Sequence, residues 1–276
     1  MNGILVINKP AGMTSFDVIG KLRKKYGQKK FGHAGTLDPM ASGVLVVLAG
    51  SATKILPYLS DTDKEYIASI ALGTQYDTDD VFGKAEASKP VDMDFDFEKV
   101  LAGFAGRQHQ KVPKASAKKT HGKKMIDYLR QDQPVPDVYT DIEIYGIQAL
   151  DAGSLSFKVD CSSGTYVRSI CRDFGLKTGN LAAMKSLVRT KANGFSIDQA
   201  EELDADTHTL YPAARLLNYP QVQAENPEDI RNGKGIVLRH EKADRVLVMD
   251  GDELLAIYSR KDPGRPLFVC TRGLWS

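Results

Sequence analysis

The 276-residue chain is poor in cysteine and has a single tryptophan. Its three cysteines, Cys161, Cys171 and Cys270, form no C-x-x-C pair. That pattern offers neither a zinc ribbon nor a disulfide framework, and it suits a reducing cytosol. No apolar run approaches the roughly eighteen residues that a membrane-spanning helix needs. The opening "MNGILVINKP" has too short an apolar run and no basic lead-in for a secretory signal. We therefore expect a cytoplasmic protein without a membrane partner. Cofactor signatures are missing as well: neither G-x-x-x-x-G-K-[ST] nor the dinucleotide glycine fingerprint occurs, and no metal-ligand spacing stands out. A chemistry that needs no cofactor and no metal is expected. Nor is there an excess of one charge, since 37 Lys and Arg face 35 Asp and Glu, leaving +2.

What is present is segregated. "KLRKKYGQKK" at 21–30 and "KVPKASAKKTHGKK" at 111–124 are wholly basic, while acids gather in "DTDKE", "DTDD" and "VDMDFDFEK". Such separation on a near-neutral chain supplies the footprint of a phosphate backbone. The length accommodates one to two domains at roughly 150 residues each. "GILVINK" reads as a short buried strand that breaks at Lys9-Pro10 and Gly12. Thr14 reads as the N-cap of a helix with Phe16, Ile19, Leu22 and Tyr26 at helical spacing and a stop at Gly27. "VLVVLAG" reads as a buried strand, and "KEYIASIALG" sets Tyr66, Ala68, Ile70 and Leu72 on one face of another. Residues 139–147 and 154–161 repeat the two-residue period, and 85–137 is helical in part around a basic loop. In "YVRSICRDFG", Val167, Ile170, Cys171 and Phe174 predict an amphipathic helix ending at Gly175. Arg168 lies about 110° from the centre of that stripe, so it is expected at the edge of the buried face. From about 223 onward, short strands with tight turns predict a small all-β module.

One stretch concentrates turn-formers around a single carboxylate. "FGHAGTLDPMASG" holds three glycines, a proline, His33 and Asp38 just before the buried run. Asp before Pro is by itself an ordinary turn opener. Taken with "VINKPAGMTSFDV" upstream and "SSGTYVRSICRDFG" downstream, the stretch resembles the bacterial TruB-type tRNA pseudouridine synthases. The resemblance continues in "DTDDVFG" and "SLVRTKANGF", and the tail resembles the small pseudo-barrel called a PUA domain. It implies an α+β catalytic domain over 1–222 on a mixed, mostly antiparallel sheet with flanking helices, and a PUA-like RNA-binding domain over 223–276. It implies isomerisation of uridine-55 in the T-loop of tRNA, without an obligate protein partner. By resemblance Asp38 is the catalytic aspartate, Tyr66 stacks on the target base, and Arg168 is the basic partner of the aspartate. Lys9, Pro10, His33, Gly35, Thr36, Tyr166 and Leu187 fall where the family shapes its cleft or receives the flipped nucleotide. The chain departs from the family at Ala34, often threonine there, and in the extra basic residues of "PKASAKKTHGKKMIDY".

Elementary chemistry agrees with these roles. Breaking a glycosidic bond without a metal needs a group that attacks or stabilises a developing cation, and a carboxylate does both. A neighbouring guanidinium, charged at any working pH, keeps that carboxylate ionised. A base inside a folded loop must be flipped out and held by an aromatic face. Two other readings follow from the same residues. One is an RNA-folding module whose basic segments bind the T-loop with catalysis incidental or lost. The other is a carboxylate-dependent glycosidase, which lacks an evident second carboxylate.

Overall fold

Seven residues rich in aliphatic side chains, Gly3–Lys9, form β1, in which Ile4, Leu5, Val6 and Ile7 are fully buried. Burial on both faces explains why the run is continuous rather than alternating. The computed structural model describes every residue except Asp61, Asp132 and Ser276. Thr14 then caps α1 (Ser15–Tyr26): its side chain accepts from the Asp17 N–H, and the Asp17 carboxylate accepts from the Thr14 N–H. Gly27 ends the helix at φ 59°, a left-handed conformation that favours glycine. The buried face of α1 is Ser15, Val18, Ile19 and Leu22, whereas Phe16 is exposed. The expected use of Phe16 as a core position is thus corrected: in the first turn, position 15 rather than 16 continues the 18-22 stripe.

The remaining strands and α-helices follow in chain order. They are β2 (Phe31–His33), β3 (Ser42–Ala49), β4 (Lys64–Leu72), the β5–β6 hairpin (Thr74–Tyr76, Ala85–Ser88) and α2 (Phe97–Ala102). Next come β7 (Gly106–Lys111), the two-residue strands β8 (Lys119–Thr120) and β9 (Lys123–Lys124), and α3 (Met125–Leu129). Then follow β10 (Tyr139–Asp151), β11 (Ser156–Cys161), α4 (Val167–Lys177), β12 (Ala182–Ala192), β13 (Phe195–Ser196) and β14 (Glu201–Glu202). The C-terminal part holds β15 (Gln221–Gln223), α5 (Pro227–Arg231), β16 (Ile236–Val237), β17 (Arg245–Asp250), β18 (Glu253–Arg260) and β19 (Leu267–Gly273).

The chain divides into two compact units. The first comprises residues 1–38, 44–62 and those from 193 onward. In it β1 runs parallel to β14 and beside β3, and β2 pairs antiparallel with β3, Phe31 opposite Ala49 and His33 opposite Val47. Leu5, Ile7, Val18, Leu22, Leu45 and Val47 fill the layer between α1 and these strands. A separate five-stranded sheet, ordered β15-β17-β18-β19-β16, closes over Val246, Val248, Tyr258 and Phe268. The one-turn helix α5 contributes Ile230 to that core, so the tail is not purely β. The expected boundary at 222/223 falls within β15.

The second unit comprises residues 39–43 and 63–192. Here the first two residues of β3 lie parallel to β12, and β12, β4, β11, β10 and β7 follow antiparallel. The sheet is mixed and mostly antiparallel, as expected for the α+β class. Strand β7 was not foreseen, because "GRQHQK" has no apolar alternation; among the described residues it forms an edge and pairs only with β10. Helix α4 buries Val167, Ile170, Cys171 and Phe174 as expected, but it runs through Gly175 to Lys177. The reason is packing: a Cβ at Gly175 would stand 2.6 Å from the Ala182 Cβ. This glycine lets helix and strand approach and does not end the helix.

Candidate active site

In the first unit the loop bearing Asp38 is fixed from both sides. The Ala34 N–H donates to the Val46 carbonyl at 2.9 Å, tying the loop to β3. The Leu37 N–H donates to Ser15 Oγ at 2.9 Å, and that hydroxyl donates back to the Leu37 carbonyl at 3.3 Å. Ser15 and Leu37 are both buried, so the residue before Asp38 is pinned to the first turn of α1. Gly35, at φ 93°, supplies the left-handed turn that brings the chain round. Asp38 itself is half-buried, and Pro39 behind it favours an extended backbone at Asp38. Gly35 and Thr36 are exposed, and His33 stands at the end of β2, half-buried. Lys9 is fully buried; its ammonium donates to the carbonyls of Met13 at 2.6 Å and Pro10 at 3.0 Å, closing the turn that exposes Pro10.

In the second unit Tyr66 lies on β4 opposite Val159 of β11 and Arg189 of β12. Two residues along, Ala68 lies opposite Leu187. Directly opposed residues share a face, so Tyr66, Leu187 and Arg189 project from the same side of the sheet. All three are buried, Arg189 completely. Thr190 is an extra residue between Arg189 and Lys191, a bulge of the kind that re-aims side chains. Glu65 holds that bulge from the opposite face. Its carboxylate accepts from Thr190 Oγ1 at 2.7 Å, Lys191 Nζ at 3.0 Å and Lys158 Nζ at 2.7 Å. Burial pushes the Glu65 carboxyl up, but the hydrogen bonds from Lys158, Thr190 and Lys191 outweigh it and hold the group at about 2. Gly43 is required by the same strand: a Cβ there would meet the Arg189 carbonyl oxygen at 2.2 Å.

Arg168, in the first turn of α4, is only 5% exposed. It is inside the fold, not at the edge expected from the helical wheel, because the loop at 77–83 covers the helix start. One Nη donates to the Thr78 carbonyl at 2.8 Å and lies 3.7 Å from Asp80 Oδ2; the other donates to the Ala115 carbonyl at 3.1 Å. A turn further on, Arg172 pairs with Asp79 at 2.9 Å and Asp173 at 2.8 Å. Burial pushes the Asp79 carboxyl up, and the Arg172 guanidinium opposes that shift. Tyr166 precedes the helix, and Gln110 of β7 clamps its backbone: the Tyr166 N–H donates to Oε1 at 2.8 Å and its carbonyl accepts from Nε2 at 3.2 Å.

Of the ten residues singled out from the sequence, Lys9, Pro10, His33, Gly35, Thr36 and Asp38 belong to the first unit, and Tyr66, Tyr166, Arg168 and Leu187 to the second. Sequence reasoning missed Asp80, Gln110, Ser15 and Glu65, which hold Arg168, Tyr166, Leu37 and the bulge beside Tyr66. Asp80 lies in "DTDDVFG", which carried both the acidic segregation and part of the family resemblance but gave no role to any one of its acids. Among the described residues, no group of three or more His, Cys, Asp or Glu is placed to hold a metal ion.

The family model for the TruB family pseudouridylate synthase (N terminal domain) matches residues 23–167. A tRNA pseudouridine synthase B from Syntrophomonas wolfei is 43% identical over 231 residues, covering 80% of this chain and 77% of its own. The protein of the same name from Syntrophotalea carbinolica is 42% identical over 286 residues, covering 98% and 92%. Among solved structures, a chain of a Cbf5-Nop10-Gar1 complex superposes with a TM-score of 0.69 at 22% identity. It covers 99% of this chain and 85% of that one, a likeness of fold.

Proposed function

This chain belongs to the TruB family of pseudouridylate synthases, and from that premise we propose that it isomerises uridine-55 in the T-loop of tRNA to pseudouridine. It is an isomerase acting on tRNA uridine; the position and the roles below are our reading. The observation that carries the substrate is the 42% identity to a tRNA pseudouridine synthase B across 98% of this chain. In the reaction the C1′–N1 bond breaks, the base turns, C5 bonds to C1′, the C5 proton leaves and N1 gains one. Asp38 supplies the carboxylate that attacks or stabilises the developing charge. Its loop, pinned through Leu37 and opened at Gly35, supports a fixed carboxylate with backbone room for RNA. Tyr66 stacks on the flipped base from a strand whose bulge is held by Glu65. Arg168, fixed by Thr78, Ala115 and Asp80, supplies a permanent positive charge for the aspartate. Pro10, His33, Gly35, Thr36, Tyr166 and Leu187 shape the cleft or receive the nucleotide, and buried Lys9 shapes it from beneath by holding the turn that exposes Pro10.

Residues 1–222 act as the catalytic domain and 223–276 as an RNA-binding one. We place the enzyme in the cytoplasm, working without a cofactor or an obligate protein partner. Among the described residues, no helix is long and apolar enough to cross a membrane. The test is a tRNA transcript carrying 5-tritiated uridine. One tritium released per RNA, abolished when position 55 is changed to cytidine, is the expected result. Release that survives that change, or no release at all, would overturn the reading.

A further inference from the structure

The loop at 76–83 inverts the usual distribution of side chains. Among those eight positions Phe82 alone is exposed, and at 72% it is the most exposed large apolar side chain of the described residues. Two of the loop's three acids, Asp79 and Asp80, face inward, while Asp77 is partly exposed and takes up a backbone N–H. Asp77 Oδ1 accepts from the Lys84 N–H at 2.8 Å, Asp79 pairs with Arg172 at 2.9 Å, and Asp80 Oδ1 accepts from the Phe82 N–H at 3.0 Å. The loop is also stitched to β12, since the Met184 N–H donates to the Asp79 carbonyl at 3.0 Å and the Val81 N–H to the Met184 carbonyl at 3.1 Å. It closes tightly, because a Cβ at Gly83 would stand 2.1 Å from Thr78 Oγ1. The backbone under Phe82 is therefore fixed while its ring stands in water. Two of the loop's three carboxylates are paired with arginines inside the fold, and the next exposed residue after Phe82 is the cation Lys84.

A solvated aromatic ring on a hydrogen-bonded loop next to a cation is prepared to stack on a nucleobase, because the loop need not be ordered on binding. The location fits, since the same Asp80 carboxylate that accepts from the Phe82 N–H faces Arg168 through its other oxygen at 3.7 Å. We propose that Phe82 is a stacking platform for an unpaired base of the RNA substrate other than the target uridine, with Lys84 meeting the adjoining phosphate. This rests on the reading of the chain as an RNA isomerase. It adds a contact that the residues of the reaction do not include.

The test uses the full-length protein and a T-stem-loop RNA. Phe82→Ala should raise KM about tenfold, with the loss carried by KM rather than kcat, whereas Phe82→Tyr keeps the ring and should keep the wild-type KM. The site is exposed, so neither change threatens folding. Phe82→Trp adds a second indole to the single native Trp275, and its emission should fall on RNA addition beyond the fall seen in wild type. Wild-type turnover reports on the functional reading, and the quench reports on stacking even where turnover fails. A KM for Phe82→Ala within about twofold of wild type, or no added quench, overturns the proposal, as would a ring that a protein partner covers instead.

Discussion

Arg168 divides its guanidinium among the Thr78 carbonyl, the Ala115 carbonyl and the Asp80 carboxylate. Only a planar fork with several donors serves three acceptors placed around it, so lysine is not a conservative replacement here. Arg168→Lys should keep a positive charge yet lose this fixation, and we expect kcat to fall at least about a hundredfold, some 2.7 kcal/mol of barrier. Thermal stability measured alongside separates the two effects: a variant that melts like wild type but turns over slowly supports a role in positioning charge. A variant with kcat within about threefold of wild type would refute it. This residue also shows the limit of a helical wheel. Position 168 falls at the edge of the stripe, and its burial is decided by a loop almost ninety residues earlier in the chain, through contacts with no local signal.

At the scale of elements, strand β12 carries most of the consequence. Its Leu187 and Arg189 share a face with Tyr66, and its bulge at Thr190 is held by Glu65. Glu65 is a carboxylate whose folded value, about 2, lies below its ordinary 4.5. A depressed acid stabilises the fold above its ordinary value and loses that contribution as pH falls through the folded one. Glu65→Gln should therefore melt below wild type near neutral pH, with the gap closing as pH falls from 4.5 toward 2. Parallel melting curves over that range would contradict it. Where α4 meets β12, Gly175→Ala would force its Cβ to within 2.6 Å of the Ala182 Cβ. The gain in helix propensity is about 1 kcal/mol, whereas overpacking costs about 1–3 kcal/mol. We expect net destabilisation, read as a lower denaturant midpoint; a more stable variant would show that the two elements can part. The strands were legible where burial imposed a pattern, in the continuous run of β3 and the alternation of β4, and helix α1 was legible from its N-cap Thr14. Edge strand β7 was not, because its residues are polar and show no apolar alternation, and Gly175 was misread because a close approach and a helix stop use the same residue.

At the scale of the whole molecule, the ten candidate residues divide between the two units, and the motifs carrying them lie far apart in the chain. Their order was readable, since each motif is local. The groups that hold them, Ser15 against Leu37 and Asp80 against Arg168, were not readable, because they depend on which loop the fold lays over which helix. The reading of a cofactor-free isomerase makes one demand on conditions: with a prefolded T-stem-loop, turnover should be unchanged by EDTA, and a strict metal requirement would contradict it. The central claim is that one carboxylate, Asp38, drives the exchange of a C–N for a C–C bond. The most direct measurement is tritium release from 5-tritiated uridine in the T-stem-loop, run side by side for wild type and Asp38→Asn with RNA binding measured on both. The amide is nearly isosteric but neither anionic nor nucleophilic. The account predicts unimpaired binding and melting with no detectable release, whereas a variant keeping more than about a tenth of the wild-type rate, a loss under ~1.4 kcal/mol, would contradict it.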